Sequence, residues 1–123
     1  MEQTKEELEK EIEKTKALLL SLERKLFSIT YTRLTNIKKD TTKKVAAYMW
    51  VEEFELTGKS RKREIVRARK MLVLILRNYN ITFQSVADYL WYHHSAVLHL
   101  YKQALFLLET DLNFEQIYNQ INN

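Results

Sequence analysis

The chain has no cysteine, no proline and a single glycine, Gly58, in its 123 residues. Without cysteine there can be no disulfide and no thiolate metal site, and a reducing compartment, the cytoplasm, is the expected location. Sheet-rich folds lean on glycine and proline turns, so their scarcity favours an all-helical chain. No uninterrupted apolar run approaches the roughly 20 residues that span a bilayer. The opening residues, Met1-Glu2-Gln3-Thr4-Lys5-Glu6-Glu7, are acidic and polar, unlike a secretory signal.

What is present suits one small domain with an appendage: 46% of the residues are apolar, enough for one core. The net charge of +4 is modest, but its distribution is uneven. Residues 59–77 hold eight Lys or Arg against the single Glu64, whereas residues 1–14 hold more acid than base. A basic segment this local points to a surface that meets a polyanion.

Residues 2–27 have the pattern of one amphipathic helix. Leu8, Ile12, Leu19, Leu22 and Leu26 recur at alternating spacings of four and three, with Thr15 completing the stripe. Two outcomes fit this pattern. The helix packs on its own domain, or it forms a short coiled coil that makes a homodimer. Residues 28–40 read as a polar connector, so that residues 1–40 form an arm and connector and residues 41–123 a separate domain. Thr41 or Thr42 is the expected cap of a helix through Trp50. Thr57-Gly58-Lys59-Ser60 is a turn, in which Gly58 is expected to use its freedom at positive φ.

A helix from about Glu64 to Tyr79 carries Ile65, Ala68, Leu72 and Ile75 on one stripe. Met71, Val73, Leu74 and Leu76 add apolar residues nearly all round, as in a central buried helix. Thr82 is the expected cap of a short helix through Leu90. After a turn at Trp91-Tyr92-His93, another helix runs from His94 to about Thr110, and Asn113 is the expected cap of a last one. The fold class is therefore all-α: a helical bundle with a helix-turn-helix, plus a long N-terminal amphipathic helix.

A short helix, a tight turn and a second helix with a polar first turn is the layout of a DNA-reading helix-turn-helix. Beside it, Lys59-Ser60-Arg61-Lys62-Arg63-Glu64-Ile65-Val66-Arg67-Ala68-Arg69-Lys70 places seven positive charges in twelve residues. Such a cluster, with Glu64 its single acid, repels itself unless an anion sits on it. Other chemistries find less support. His94 and His99 are five apart, off the usual same-face spacing, and no carboxylate joins them as a metal ligand. Gly58-Lys59-Ser60 mimics the end of a phosphate-binding loop, but Glu53 stands where that motif needs its first glycine. No carboxylate pair or nucleophile–base set points to catalysis. No enzyme activity, cofactor, metal, membrane contact or small-molecule substrate is expected.

The order of these segments resembles the C-terminal DNA-binding domain (domain IV) of the bacterial replication initiator DnaA, a fold related to the Trp repressor helix-turn-helix. The resemblance runs from about Thr42 to Asn122. Lys44-Val45-Ala46-Ala47-Tyr48 is similar to that domain's opening helix, and Lys59 to Arg63 occupy the place of its basic loop. Arg67-Ala68-Arg69-Lys70-Met71 resembles its arginines before a buried methionine, with Ala68 in place of a frequent proline. Ser85 to Leu90 resemble the first helix of the helix-turn-helix. His93-His94-Ser95-Ala96-Val97-Leu98-His99 stands where the family signature reads Asp-His-Thr-Thr-Val-Leu-His. The family's Gly-rich turn is replaced by Trp91-Tyr92, one residue shorter.

The resemblance implies a non-catalytic reader of double-stranded DNA, without the initiator's ATPase module. It makes Arg61 the minor-groove residue and places Arg63, Arg69 and Arg77 near phosphates, with Lys59, Lys62 and Arg67 in the same basic segment. His94, Ser95, Ala96 and His99 become the base readers, with His93 in the place of the signature aspartate. Exchanging an acid for a histidine and a threonine hydroxyl for the Ala96 methyl changes the donor and acceptor set offered to the bases, so a target other than the usual initiator box is expected. The expected role is regulatory or accessory, in replication or transcription, at the nucleoid. The altered signature also keeps a rival open: a protein–protein adaptor that retains the fold without specific DNA recognition.

Overall fold

The computed structural model describes residues 4–123. Six helices and no strand make up the described residues: α1 (Lys5–Met49), α2 (Glu53–Leu56), α3 (Arg63–Asn78), α4 (Phe83–Leu90), α5 (His94–Thr110) and α6 (Leu112–Asn122). They divide into two compact units between Thr35 and Asn36. No helix among them is long and apolar enough to cross a membrane.

In the first unit, the start of α1 is set by a capping box. The Glu7 N–H donates to Thr4 Oγ1 and the Thr4 N–H to Glu7 Oε2, each at 3.3 Å. Glu6 and Glu7 add negative charge where the helix dipole favours it. The expected helix start at residue 2 lies outside the described residues. Every residue from Thr4 to Arg33 is exposed.

Residues 28–40, expected as a connector, are helical. The segment is rich in threonine, which often leaves a helix to bond nearby backbone. Here the hydroxyls bond back along the helix instead: Thr35 Oγ1 donates to the Tyr31 carbonyl at 2.9 Å and Thr42 Oγ1 to that of Lys38 at 2.7 Å. With no glycine or proline in the segment, nothing else interrupts the ladder. Thr41 and Thr42 are therefore buried inside a helix and do not cap one.

The second unit is built around α3, in which Met71 to Leu76 are all buried. The helix packs on α2, α4, α5 and α6, and α5 also packs on α4 and α6. Leu56 of α2, Val97 and Ala104 of α5 and Phe114 of α6 are fully buried in this core. The expected stripe of Ile65, Ala68, Leu72 and Ile75 lies within it. The end of α1 belongs to this unit: Val45 is fully buried, and the hydroxyls of Thr42 and Tyr89 lie 2.7 Å apart, tying α1 to α4.

Three helices end on a left-handed residue that is not glycine. The Ile81 and Asn80 amides close α3 on the Leu76 and Arg77 carbonyls, and the Tyr92 and Trp91 amides close α4 on those of Ala87 and Asp88. Both are Schellman caps, with Asn80 and Trp91 in the left-handed conformation usually given to glycine. Trp50 holds that conformation (φ 59°) at the end of α1. Gly58, expected at positive φ, is not there. Its need is for space: a Cβ at this position would stand 3.0 Å from the Phe54 carbonyl oxygen. Asp111 caps α6 in place of the expected Asn113, accepting the Phe114 N–H at 3.1 Å. Thr82 caps α4 as expected, accepting the Ser85 N–H at 3.1 Å.

Candidate nucleic-acid interface

The turn between α2 and α3 is organised by one side chain. Arg69 lies on the buried side of α3, only 2% exposed. Its Nε donates to the Leu56 carbonyl at 3.0 Å, and Nη2 to those of Glu55 at 2.8 Å and Gly58 at 2.7 Å. Nη1 donates to the Ser60 carbonyl. A guanidinium presents its donors in a fixed planar fork, so four carbonyls gathered on it define the backbone path from residue 55 to 60. The same guanidinium carbon lies 5.7 Å from the ring centroid of Tyr92, in the turn between α4 and α5. Arg69 therefore places the basic loop beside the helix-turn-helix.

This differs from the expectation that Arg69 lies near phosphates, because the side chain is buried and its donors are taken up by backbone carbonyls. Two further arginines of α3 are also engaged within the protein. Arg67 Nη1 pairs with Asp111 Oδ2 at 2.7 Å, and its guanidinium lies over the Phe114 ring. Arg77 Nη1 donates to the Ile81 carbonyl at 2.8 Å, and its guanidinium stacks 4.2 Å from the Phe83 ring centroid. The Arg67 guanidinium holds the Asp111 carboxyl below the ordinary carboxylate range, with the Phe114 N–H as the second cause. Sequence pattern counts charges along a helix, but it does not tell which of them turn inward.

Lys59, Arg61, Lys62 and Arg63 are different. All four are exposed. No ion pair or hydrogen bond engages their side chains among the described residues. Arg61 and Arg63 line a shallow cleft with Val66, Arg67, Lys70 and Leu107. Lys70 thus joins this basic group without having been singled out in the sequence. The fork fixes the backbone as far as Ser60, so these four cations leave or directly follow a held segment, and together they form a charged surface that suits a phosphate backbone.

In the helix-turn-helix, α4 ends at Trp91 (φ 60°, ψ 40°), whose indole is 81% exposed. His93 is the N-cap of α5, but its side chain accepts no hydrogen bond from the helix start. His94 sets its ring edge-on to Phe83 at 5.8 Å, and Phe83 in turn meets Tyr101 at 5.3 Å. The His94 ring is thereby oriented, although the residue remains exposed. Ser95, Ala96 and His99 are exposed on α5. His99 Nε2 and Gln103 Nε2 lie 2.9 Å apart. Gln103 and the exposed Lys102 extend this surface by one turn. Sequence reasoning missed both, although a step of three or four from His99 reaches them.

The arrangement offers a hydroxyl at Ser95, ring nitrogens at His94 and His99, an amide at Gln103 and a methyl at Ala96. That set matches hydrogen bonding and apolar contact with base edges in a major groove. Among the described residues, no group of three or more His, Asp or Glu is placed to hold a metal ion.

A profile of the bacterial DnaA protein helix-turn-helix matches residues 39–104, just over half of the chain. The match takes in the end of α1, the basic loop, α3, α4 and α5 as far as Ala104. No curated protein gives a significant match.

Proposed function

The chain belongs to the family of the bacterial DnaA helix-turn-helix, a DNA-binding domain, and from that premise we propose that it is a non-catalytic, sequence-specific reader of double-stranded DNA. It acts as a regulator or accessory factor of replication or transcription, in the cytoplasm at the nucleoid. The N-terminal half of α5 enters the major groove. There Ser95, His99 and Gln103 meet base edges, Ala96 meets a thymine methyl, and His93 and His94 lie at the groove's edge. The loop cations Lys59, Arg61, Lys62 and Arg63 hold phosphates, with Arg61 reaching the adjacent minor groove. The first amides of α5, which no side chain caps, add donors for a phosphate oxygen. Arg67, Arg69 and Arg77 serve this site from within, by holding the elements that carry it.

The observation that supports this reading best is the division of labour among the arginines. Arg67, Arg69 and Arg77 of α3 are spent on carbonyls, rings and Asp111, while Lys59, Arg61, Lys62 and Arg63, in the loop and at the start of α3, have no side-chain partner among the described residues. Evolution toward a stable fold alone has no use for that second group, since clustered like charge destabilises it.

The test is selection of bound sequences from a random duplex pool, followed by titration of the selected site over a salt series. A reader of this kind enriches a defined motif. With four phosphate-bound cations, log K should fall with log salt at a slope of about −3 to −4. No enrichment and no retention at low salt would discard the reading in favour of the protein–protein adaptor.

A further inference from the structure

The first unit is a helix with an unpartnered apolar seam. Leu8, Ile12, Leu19, Leu22, Leu26 and Ile29 are each 45–67% exposed. On a heptad frame, Ile12, Leu19 and Leu26 are a residues, and Leu8, Thr15, Leu22 and Ile29 are d residues. From Leu8 to Ile29 the seam runs about 33 Å at the rise of an α-helix. A lone helix of this kind leaves a continuous apolar stripe in water, and its own packing supplies nothing to hold it. Thr15 does not spoil the seam. Its hydroxyl already donates to the Glu11 carbonyl at 2.9 Å, so it can be covered without losing a partner.

We infer that this seam is covered by a second copy of the chain, as a parallel, in-register, two-stranded coiled coil. The flanking charges select the arrangement. The e positions are Glu9, Lys16 and Glu23, and the g positions include Glu11 and Lys25. In a parallel pair each g residue faces the e residue five positions on in the partner helix. Glu11 then meets Lys16 twice by symmetry, and no like charges meet. An antiparallel pair with full overlap of the seam gains Glu11 against Lys25. It also sets Lys16 against its own copy and Glu9 against Glu23. Charged e positions also argue for two strands, because larger bundles bury those positions progressively, while Leu18, the apolar g residue, widens the seam on one side. The inference does not rest on DNA binding. Its consequence for a reader is two linked reading units, which raise affinity for duplexes with two sites.

The test uses the full chain without DNA. Light scattering or sedimentation at tens of micromolar should give twice the mass of one chain. A single-chain mass, as when the helix packs on its own reader, or a mass of three or more chains overturns the inference. Leu22→Glu should give single chains with the helix-turn-helix unit still folded by circular dichroism; a dimer that survives it does not use this seam. Because the chain has no cysteine, Leu8→Cys gives a direct reading of orientation. In a parallel dimer residue 8 faces its own copy and links on oxidation, while an antiparallel dimer places it opposite residue 26. Failure of Leu8→Cys to link, with linkage by Leu8→Cys/Leu26→Cys, overturns the parallel arrangement. Lys16→Glu should weaken the dimer roughly fivefold to tenfold, and adding Glu11→Lys should restore it. Absence of that restoration removes the charge argument.

Discussion

Arg69 Nη2 donates to the carbonyl of Gly58 at 2.7 Å, eleven residues back along the chain. With the Leu56, Glu55 and Ser60 carbonyls on the same guanidinium, this buried side chain replaces the regular backbone pairing that the turn between α2 and α3 lacks. Arg69→Ala leaves the Leu56, Gly58 and Ser60 carbonyls without this donor, while Glu55 keeps the Gly58 N–H, and should cost about 2–4 kcal/mol of stability. Arg69→Lys keeps the charge but not the fork, and should recover only part of that loss. Urea unfolding measures both, and hydrogen exchange over residues 55–62 should rise in each variant. Unchanged exchange there would show that the turn holds itself.

Arg61→Ala should behave in the opposite way. The side chain is exposed and engages no partner among the described residues, so stability should stay within about 0.5 kcal/mol of the parent. Affinity for the selected duplex should fall about tenfold or more, and the salt slope should lose about one unit. Fluorescence anisotropy over a salt series reads both quantities.

Trp91 sits at φ 60° with an exposed indole. The left-handed conformation costs an L-residue about 1–2 kcal/mol, and glycine avoids that at an entropic cost of about 0.5–1 kcal/mol. Trp91→Gly should therefore raise stability by roughly 0.5–1 kcal/mol, seen as a higher Tm. If the indole rests on the sugar–phosphate backbone, the same change lowers DNA affinity. A stabilised variant with undiminished affinity would assign Trp91 no part in binding.

The Asp111 carboxyl is held below its ordinary pKa by the Arg67 hydrogen bond first and the Phe114 N–H second. A lowered folded-state value means that the carboxylate's contribution is fully present above the ordinary carboxylate range. It is lost as the pH falls through the lowered value. Asp111→Asn keeps a capping oxygen but not the ion pair, so it should flatten the acid limb of a stability-against-pH curve. Asp111→Ala loses the cap as well and should be the less stable of the two at neutral pH. Thermal melts across pH 2–7 separate the variants. Parallel curves for parent and Asp111→Asn would deny the ion pair its role.

His93 occupies the N-cap of α5 without capping it. His93→Asp, which restores the acid of the family signature, should stabilise by about 1 kcal/mol through the cap and the helix dipole. It should also shift the motif enriched from a random duplex pool. An unchanged motif would mean that position 93 does not take part in reading.

The elements marked by hydrophobic period were legible in the sequence. The central helix, its stripe of Ile65, Ala68, Leu72 and Ile75, the Thr82 cap and the start of α5 at His94 all stand where the pattern of residues sets them. Such features depend on neighbours three or four residues apart, which the sequence shows directly. The capping box Thr4-Lys5-Glu6-Glu7 was equally readable and was overlooked.

The sequence by itself determined an all-helical chain, a basic segment beside a helix-turn-helix, and the residue types offered to a groove. Only the tertiary structure decided which cations face outward. Arg61, Arg67 and Arg69 look alike in a string of charges, yet they differ in their surroundings. Asp111 and Phe114 claim Arg67, four carbonyls and Tyr92 claim Arg69, and nothing among the described residues claims Arg61. Those partners lie up to 47 residues away in the chain. A buried arginine is tolerated only where such distant groups meet its donors, and that meeting is a property of the packed molecule.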